Sequence, residues 1–127
     1  IGINALGALL NVRNGELIKG RYSLALQEEL LAEALGVVKK KGITLLYDNV
    51  NDEVAKICES TGENINSMLQ DIRQKRKTEI DFINGVIVKE GKELNVPVPL
   101  NHAVLRLVKA IEEGYDRQIQ GGKLYDL

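Results

Sequence analysis

The sequence predicts an all-α fold. Apolar residues recur at helical spacing along most of the chain, and they are chiefly Leu, Ile, Val and Ala, whereas aromatic residues make up only 4%. Gly and Pro cluster in a few places and do not recur at the intervals of about eight to twelve residues that are typical of a sandwich or barrel. The 127 residues are enough for one domain with a buried core.

The first elements are an apolar helical segment over residues 1–12, a turn and a long helix. Small residues in the first segment would let another helix or a ligand approach closely, and Asn4 is its first polar side chain. Asn14 and Gly15 predict the turn, since both residue types tolerate positive φ. The long helix covers about residues 21–41 and ends on three lysines, which its dipole favours, followed by a Gly as the stop signal.

The middle of the chain predicts two shorter helices. Residues 51–60 form the first, with Ile57 and Cys58 facing inward, and residues 67–74 form the second. Between the long helix and these two, the ITLLY stretch at 43–47 favours an extended conformation, but it is too isolated to build a sheet.

A second long helix and a final helix complete the predicted architecture. The second long helix starts with Thr78 as its cap, runs to about Leu94 and cannot continue through Pro97. The final helix takes Asn101 as its cap and carries an apolar stripe that reaches Tyr115.

Composition excludes several classes of protein. Seventeen basic and eighteen acidic residues give a formal net charge of −1, which is a poor electrostatic footprint for a nucleic-acid binder. A single cysteine, Cys58, excludes an internal disulfide and fits a reducing compartment, where we expect it to be a small packed residue. With His102 as the only histidine, no zinc-type cluster is predicted. No apolar run approaches the roughly 18 residues of a membrane span, so we expect a soluble, cytoplasmic protein without a membrane partner.

The start of the chain indicates a piece of a longer protein. Residues 1–10 lack an initiator Met and resemble the interior of a helix, with no capping residue before them. We therefore expect Ile1 to be an internal residue.

Two predicted helix starts carry the strongest candidates for a binding site. In Ser67-Met68-Leu69-Gln70, the Ser and the Gln form a capping box, and a helix start also attracts anions through its free N–H groups. Glu79 falls in the first turn of the next helix, behind Thr78. If the two starts converge, they present a hydroxyl and a carboxylate to the same space. Ordinary capping by Ser67 and ordinary first-turn chemistry by Glu79 are the alternatives.

The remaining polar candidates are weaker. The basic run over residues 73–77 allows a phosphate or nucleic-acid contact, although a solvated loop is the commoner explanation. Asn4 would need hydrogen-bond partners if buried, from the protein or from a ligand, and Asn14 fits ordinary turn chemistry. The chain contains no G-x-G-x-x-G motif and no P-loop, so by itself it cannot cradle the phosphates of a dinucleotide.

Three stretches of the sequence resemble the C-terminal domain of the ketopantoate reductase (2-dehydropantoate 2-reductase) family. They are INALGALLNVRNGEL at 3–17, NSMLQDIRQKRKTEIDFING at 66–85 and VPVPLN at 96–101. The resemblance covers nearly the whole chain in the right order. It implies NADPH-dependent reduction of 2-dehydropantoate to pantoate, on the route to pantothenate and coenzyme A.

The family's architecture pairs an N-terminal Rossmann domain with a C-terminal helical bundle similar to that of 6-phosphogluconate dehydrogenase, and the active site is the cleft between them. By this resemblance, residues 1–127 are the substrate-binding and dimerisation-type C-terminal domain without its Rossmann domain.

The resemblance also assigns the site residues. Asn4, Asn14 and Ser67 correspond to substrate-binding residues, and Glu79 corresponds to the carboxylate that lies near the cofactor and the reacting hydroxyl. The family's catalytic Lys falls upstream of Ile1. We therefore expect that the chain alone neither binds NADPH tightly nor turns over substrate, and that it associates with itself, as a homodimer for example, through an apolar patch.

The sequence leaves open alternatives for the activity, the substrate and the cofactor. A non-catalytic helical dimerisation module would keep the fold without the chemistry, and the codons upstream of Ile1 distinguish it from an enzyme. A related branched 2-oxo acid could replace 2-dehydropantoate, and NADH could replace NADPH, since the residues that select them belong partly to the other domain. Nucleic-acid binding through residues 73–77 would show a steep salt dependence.

Overall fold

The computed structural model describes residues 2–46 and 48–119, and within them the chain forms seven α-helices and no strand. The helices are α1 (Asn4–Leu10), α2 (Glu16–Lys19), α3 (Arg21–Lys40), α4 (Val50–Ser60), α5 (Ser67–Arg73), α6 (Asn84–Leu94) and α7 (Pro99–Glu113). Two 3₁₀ turns, Ile80–Phe82 and Tyr115–Arg117, precede α6 and follow α7. The predicted all-α fold is confirmed.

Two groups of buried apolar side chains hold the helices together. In the main core, α1, α2, α3, α5 and α7 meet around Leu17, Leu30, Met68 and Val108, which are at most 2% exposed. A smaller cluster joins α3 to α6, where Val37 packs near Ile87 and Val98. Each such buried side chain contributes about 1.5–3 kcal/mol relative to exposure.

Helix α3 is the long helix that the sequence predicts, and it is one residue shorter than expected. Lys39 and Lys40 lie in its last turn, and Gly42 follows with a φ of 82°, which confirms the predicted stop. A salt bridge of 3.0 Å from Lys41 to Glu90 ties this end of α3 to α6. Neither α3 nor any other helix in the described ranges is long and apolar enough to cross a membrane.

Helix α4 confirms one predicted inward residue and contradicts another. Cys58 is fully buried, and its sulfur accepts from the Gln27 amide at 3.5 Å. Ile57, expected to face inward, is 49% exposed, because α4 packs only along the narrow stripe where it meets α2 and α3. The stretch at 43–46 has no regular structure, and Tyr47, which ends the predicted extended segment, lies outside the described residues, as does Ile1.

The predicted helix from Thr78 to Leu94 is broken near its start. After the 3₁₀ turn, Ile83 leaves helical geometry (φ −110°, ψ −89°), and α6 begins only at Asn84. The prediction of Thr78 as its cap is wrong. The cause is a tertiary contact, because the Asn84 amide is fully buried and donates to Asn101 Oδ1 at 2.9 Å.

Helix α7 also starts at a different residue from the predicted one. It begins with Pro99 in its first turn, where the fixed φ of proline suits a helix and its missing N–H costs nothing. The cap is supplied by α3, since the Glu33 carboxylate accepts from the backbone N–H groups of Leu100 and Asn101, both at 2.9 Å. Asn101, predicted to be the cap, is instead fully buried and donates from its amide to Leu30 O and to Glu33.

Candidate functional site

Helix α5 is capped by Asn66, and the prediction of Ser67 as the cap is wrong by one residue. Asn66 Oδ1 accepts from the Leu69 N–H at 2.9 Å, and Ser67 is the first helical residue. Asn is as good a cap as Ser, so the sequence alone left both registers open, and the burial of Asn66 decides between them. The Ser67 side chain is therefore exposed and its hydroxyl is not used to cap the helix.

Glu79 lies between two residues that are anchored in the protein. Thr78 before it is 5% exposed and Ile80 after it is fully buried, whereas Glu79 itself is exposed. Glu79 directly precedes the 3₁₀ turn, and it is therefore not in the first turn of a long helix as predicted. The chain thus fixes the backbone on both sides of a carboxylate that faces solvent.

Ser67 and Glu79 line the same open depression, which has a volume of about 340 Å³. The other side chains that line it are Met68, Asp71, Lys77 and Ile83. The hydroxyl and the carboxylate are thus brought together, although neither Ser67 nor Thr78 caps a helix there as predicted.

Asp71 and Lys77 give the depression two further charged side chains, which the helix starts alone did not predict. Asp71 forms a salt bridge of 3.0 Å with Arg76, so part of its charge is already compensated. Lys77 adds a positively charged side chain to the lining that Ser67 shares. The signal for Asp71 was available, since residues four apart on a helix share one face and Ser67 and Asp71 have this spacing. Such a site can hold a small anionic ligand that also carries groups able to donate to a carboxylate.

Asn4 is the first residue of α1 and is half-buried. It precedes Gly7 by one helical turn, and Gly7 lies against Asn66, so closely that a Cβ on Gly7 would collide with the Asn66 amide. This contact turns the face of α1 that carries Asn4 toward the start of α5. Asn4 is not among the six residues that line the depression.

Asn14 is buried in the connection between α1 and α2. Its amide donates to Thr61 Oγ1 at 3.0 Å, and its backbone N–H donates to Asn64 O at 3.0 Å, so it ties this turn to the loop that follows α4. Asn14 Oδ1 is buried and has no hydrogen-bond partner in the described part of the chain. Asn14 does not line the depression, and its role in substrate binding stays a prediction.

An apolar patch of the expected kind lies between α1, α3 and α7. Leu10, Leu26 and Leu107 are 40–54% exposed around an apolar depression of about 420 Å³. Self-association through it stays a prediction.

Comparison with known proteins identifies the family. Residues 1–112 match the family described as ketopantoate reductase PanE/ApbA, C terminal. The chain belongs to this family. The resemblance that the sequence predicted is thereby confirmed for the ketopantoate reductase C-terminal domain as a whole.

The similar proteins are longer than this chain. The 2-dehydropantoate 2-reductase of Pyrobaculum aerophilum is 39% identical over 110 residues, which are 87% of this chain and 39% of that protein. A PanE/ApbA family ketopantoate reductase from Ralstonia eutropha JMP134 superposes with a TM-score of 0.84 at 31% identity, covering 91% of this chain and 39% of that one. D-mandelate dehydrogenase, solved with NADH and anilino(oxo)acetate, superposes with a TM-score of 0.78 at 32% identity, covering 90% and 38%.

Proposed function

We propose that this ketopantoate reductase C-terminal domain is the substrate side of an NADPH-dependent 2-dehydropantoate 2-reductase that acts in pantothenate and coenzyme A synthesis. An N-terminal Rossmann domain with the catalytic Lys completes the site. The observation that carries the proposal is the depression shared by Ser67 and Glu79, two residues from the stretch that most specifically resembles the family. The name carried by the curated relatives supports the same reaction.

In this proposal the chain's own residues hold the 2-oxo acid. The Ser67 hydroxyl, free of any capping role, donates to the polar end of the substrate, and the Lys77 ammonium attracts its negative charge. Asn4 contributes an amide from the neighbouring face of α1. By the same family resemblance Asn14 is a further substrate-binding residue, with an Oδ1 that has no partner in the described part of the chain.

Glu79 is the described residue that we assign to the nicotinamide cofactor. The exposed carboxylate of Glu79 can accept hydrogen bonds from a ribose hydroxyl and from the hydroxyl of the product. When bound, NADPH supplies the hydride for the reduction. Its phosphates need a cradle that this sequence lacks, so NADPH is held mainly by the other domain, which also decides between NADPH and NADH.

The test is a kinetic assay of the protein expressed together with the sequence upstream of Ile1. We expect NADPH oxidation with 2-dehydropantoate, and we expect Ser67→Ala and Glu79→Gln each to lower kcat/KM by about 10- to 100-fold, as the loss of a hydrogen bond to a charged group does. Ser60→Ala is the matched control, because Ser60 is an exposed serine on α4 whose hydroxyl donates to Ile57 O of its own helix. Unchanged kcat/KM in both site variants would contradict the proposal.

A reductase of a related 2-oxo acid is the second candidate. It is favoured by the structural similarity to D-mandelate dehydrogenase, whose ligand anilino(oxo)acetate is a bulkier 2-oxo compound. The ratio of kcat/KM for 2-dehydropantoate and for an aromatic 2-oxo acid decides between the two. A non-catalytic dimerisation module is the outcome if the upstream codons encode neither a Rossmann motif nor a Lys.

A further inference from the structure

The last turns of α7 hold the segment on both sides of Glu79. The Glu112 carboxylate accepts from both the backbone N–H and the hydroxyl of Thr78, each at 2.6 Å. Lys109 donates to the two carboxylate oxygens of Asp81 at 2.9 and 3.0 Å. Thr78 and Asp81 flank Glu79 in the chain, so both contacts restrict the same short segment.

A third contact lies just beyond α7 and holds the chain shortly before Thr78. The Tyr115 hydroxyl donates to Arg76 O at 2.7 Å. Lys109 and Glu112 lie one helical turn apart on α7, and Tyr115 follows three residues later in the 3₁₀ turn after the helix. As the chain advances from residue 109 through 112 to 115, the bonded partner moves back along the chain from residue 81 through 78 to 76. We call these three residues, 109, 112 and 115, the α7 clasp.

The Glu112 contact is the main anchor of the α7 clasp. Its two donors belong to Thr78, which is 5% exposed, and hydrogen bonds to an ionised acceptor are roughly twice as strong as neutral ones. The side chains of Lys109 and Asp81 are about half exposed, and such surface pairs contribute little. Burial, with the carboxylates of Glu112 and Asp71 nearby, raises the pKa of Tyr115, so its phenol stays protonated as the donor of this bond.

We propose that Glu112 is a positioning residue for Glu79. The proposal rests on the role of Glu79 in the proposed function. Glu112 holds Thr78 on one side, and the core holds the fully buried Ile80 on the other, so that the Glu79 backbone is fixed and its carboxylate stays at the depression. Thr78 Oγ1 adds to this by accepting from the Ile80 N–H at 3.3 Å. Glu112 does not line that depression, so it acts on the site through the segment that carries Glu79 and not by touching a ligand there.

The kinetic test uses the complete enzyme. Removing the anchor lets the segment shift, and a displacement of about 1 Å can cost up to roughly 100-fold in rate, so we expect Glu112→Ala to lower kcat by about 10- to 100-fold. Both Thr78 donors bond the same oxygen, Glu112 Oε2, so Glu112→Gln can keep this acceptor while it loses the negative charge, and its kcat should fall between those of Glu112→Ala and the wild type. It also keeps the test valid if the alanine variant does not fold. Glu113→Gln, an exposed carboxylate beside Glu112, should leave kcat unchanged.

The Glu79→Gln background separates positioning from general destabilisation. If Glu112 acts through Glu79, its substitution should lower kcat by less than about twofold once Glu79 is already changed. Amide hydrogen exchange at Thr78 and Ile80 should be faster in Glu112→Gln and unchanged in Glu113→Gln.

Three results would count against the inference, and they differ in what else they affect. An equal loss of kcat in the wild-type and Glu79→Gln backgrounds would show a merely structural role for Glu112. Unchanged kcat in both Glu112 variants, while Glu79→Gln is impaired, would overturn the positioning role and leave the proposed function intact. A fully active Glu79→Gln enzyme would overturn the proposed role of Glu79 and the inference with it.

Discussion

The contact between Glu33 and the start of α7 carries a stability prediction that depends on three hydrogen bonds. The Glu33 carboxylate accepts from the N–H groups of Leu100 and Asn101 and from the Asn101 side-chain amide, all at 2.9 Å. Glu33→Ala removes the cap of α7, which costs about 0.5–2 kcal/mol. It also leaves a donor of the fully buried Asn101 poorly satisfied, which costs about 1–3 kcal/mol more. We therefore expect a loss of about 2–4 kcal/mol in the free energy of unfolding.

The measurement is urea unfolding followed by far-UV circular dichroism. The midpoint should fall at an unchanged m-value, and the thermal midpoint should fall by roughly 10 °C for a domain of this size. Glu33→Gln keeps one acceptor oxygen and should lose about half as much as Glu33→Ala. Glu29→Ala is the matched control, since Glu29 is exposed one turn earlier on α3 and should change stability by no more than about 0.5 kcal/mol. Equal midpoints for Glu33→Ala and Glu29→Ala would refute the tertiary cap.

Three further predictions concern the elements around the site. Gly7→Ala should lower the free energy of unfolding by about 1–3 kcal/mol, because the added Cβ collides with the Asn66 amide. Gly36→Ala has room on α3 and should raise it by about 0.5–1 kcal/mol. Chemical denaturation should therefore show changes of opposite sign for the two variants. Asn66→Ala should cost about 1 kcal/mol and Ser67→Ala almost nothing, and the reverse order in thermal unfolding would restore Ser67 as the cap. Because the pKa of Tyr115 is raised from 10.0, the folded state holds this proton longer than the unfolded state, so stability falls as pH rises above about 10. In Tyr115→Phe this fall should be shallower by pH-dependent denaturation, and an identical slope would contradict the raised pKa of Tyr115.

Local signals in the sequence predicted a helix end correctly where the residues that stop the helix lie next to that end in the chain. Three lysines and Gly42 fixed the end of α3 to within one residue, since dipole and left-handed φ act within a single turn. The starts of α6 and α7 failed for the opposite reason. They depend on Asn84 and Glu33, whose partners lie 17 and more than 60 residues away in the chain, and such pairs leave no local pattern.

The candidate site was predictable only where its residues are marked by local sequence patterns. Ser67 and Glu79 were singled out by the two predicted helix starts and given roles by the family resemblance, and the structure places both at one depression. Asp71 could have been found from its helical spacing to Ser67. The anchor at Glu112 could not, because its contact with Thr78 spans 34 residues and its surroundings on α7 look like an ordinary charged helix face.

The most direct test of the central claim is a crystal structure of the protein, completed by its upstream domain, with a 2-oxo acid and the nicotinamide cofactor bound. The account predicts the Ser67 hydroxyl within about 3 Å of the polar end of the acid, and the Glu79 carboxylate within the same reach of a hydroxyl of substrate or ribose. A ligand bound elsewhere on the chain, such as the depression lined by Arg13, Glu16 and Glu59, would contradict it.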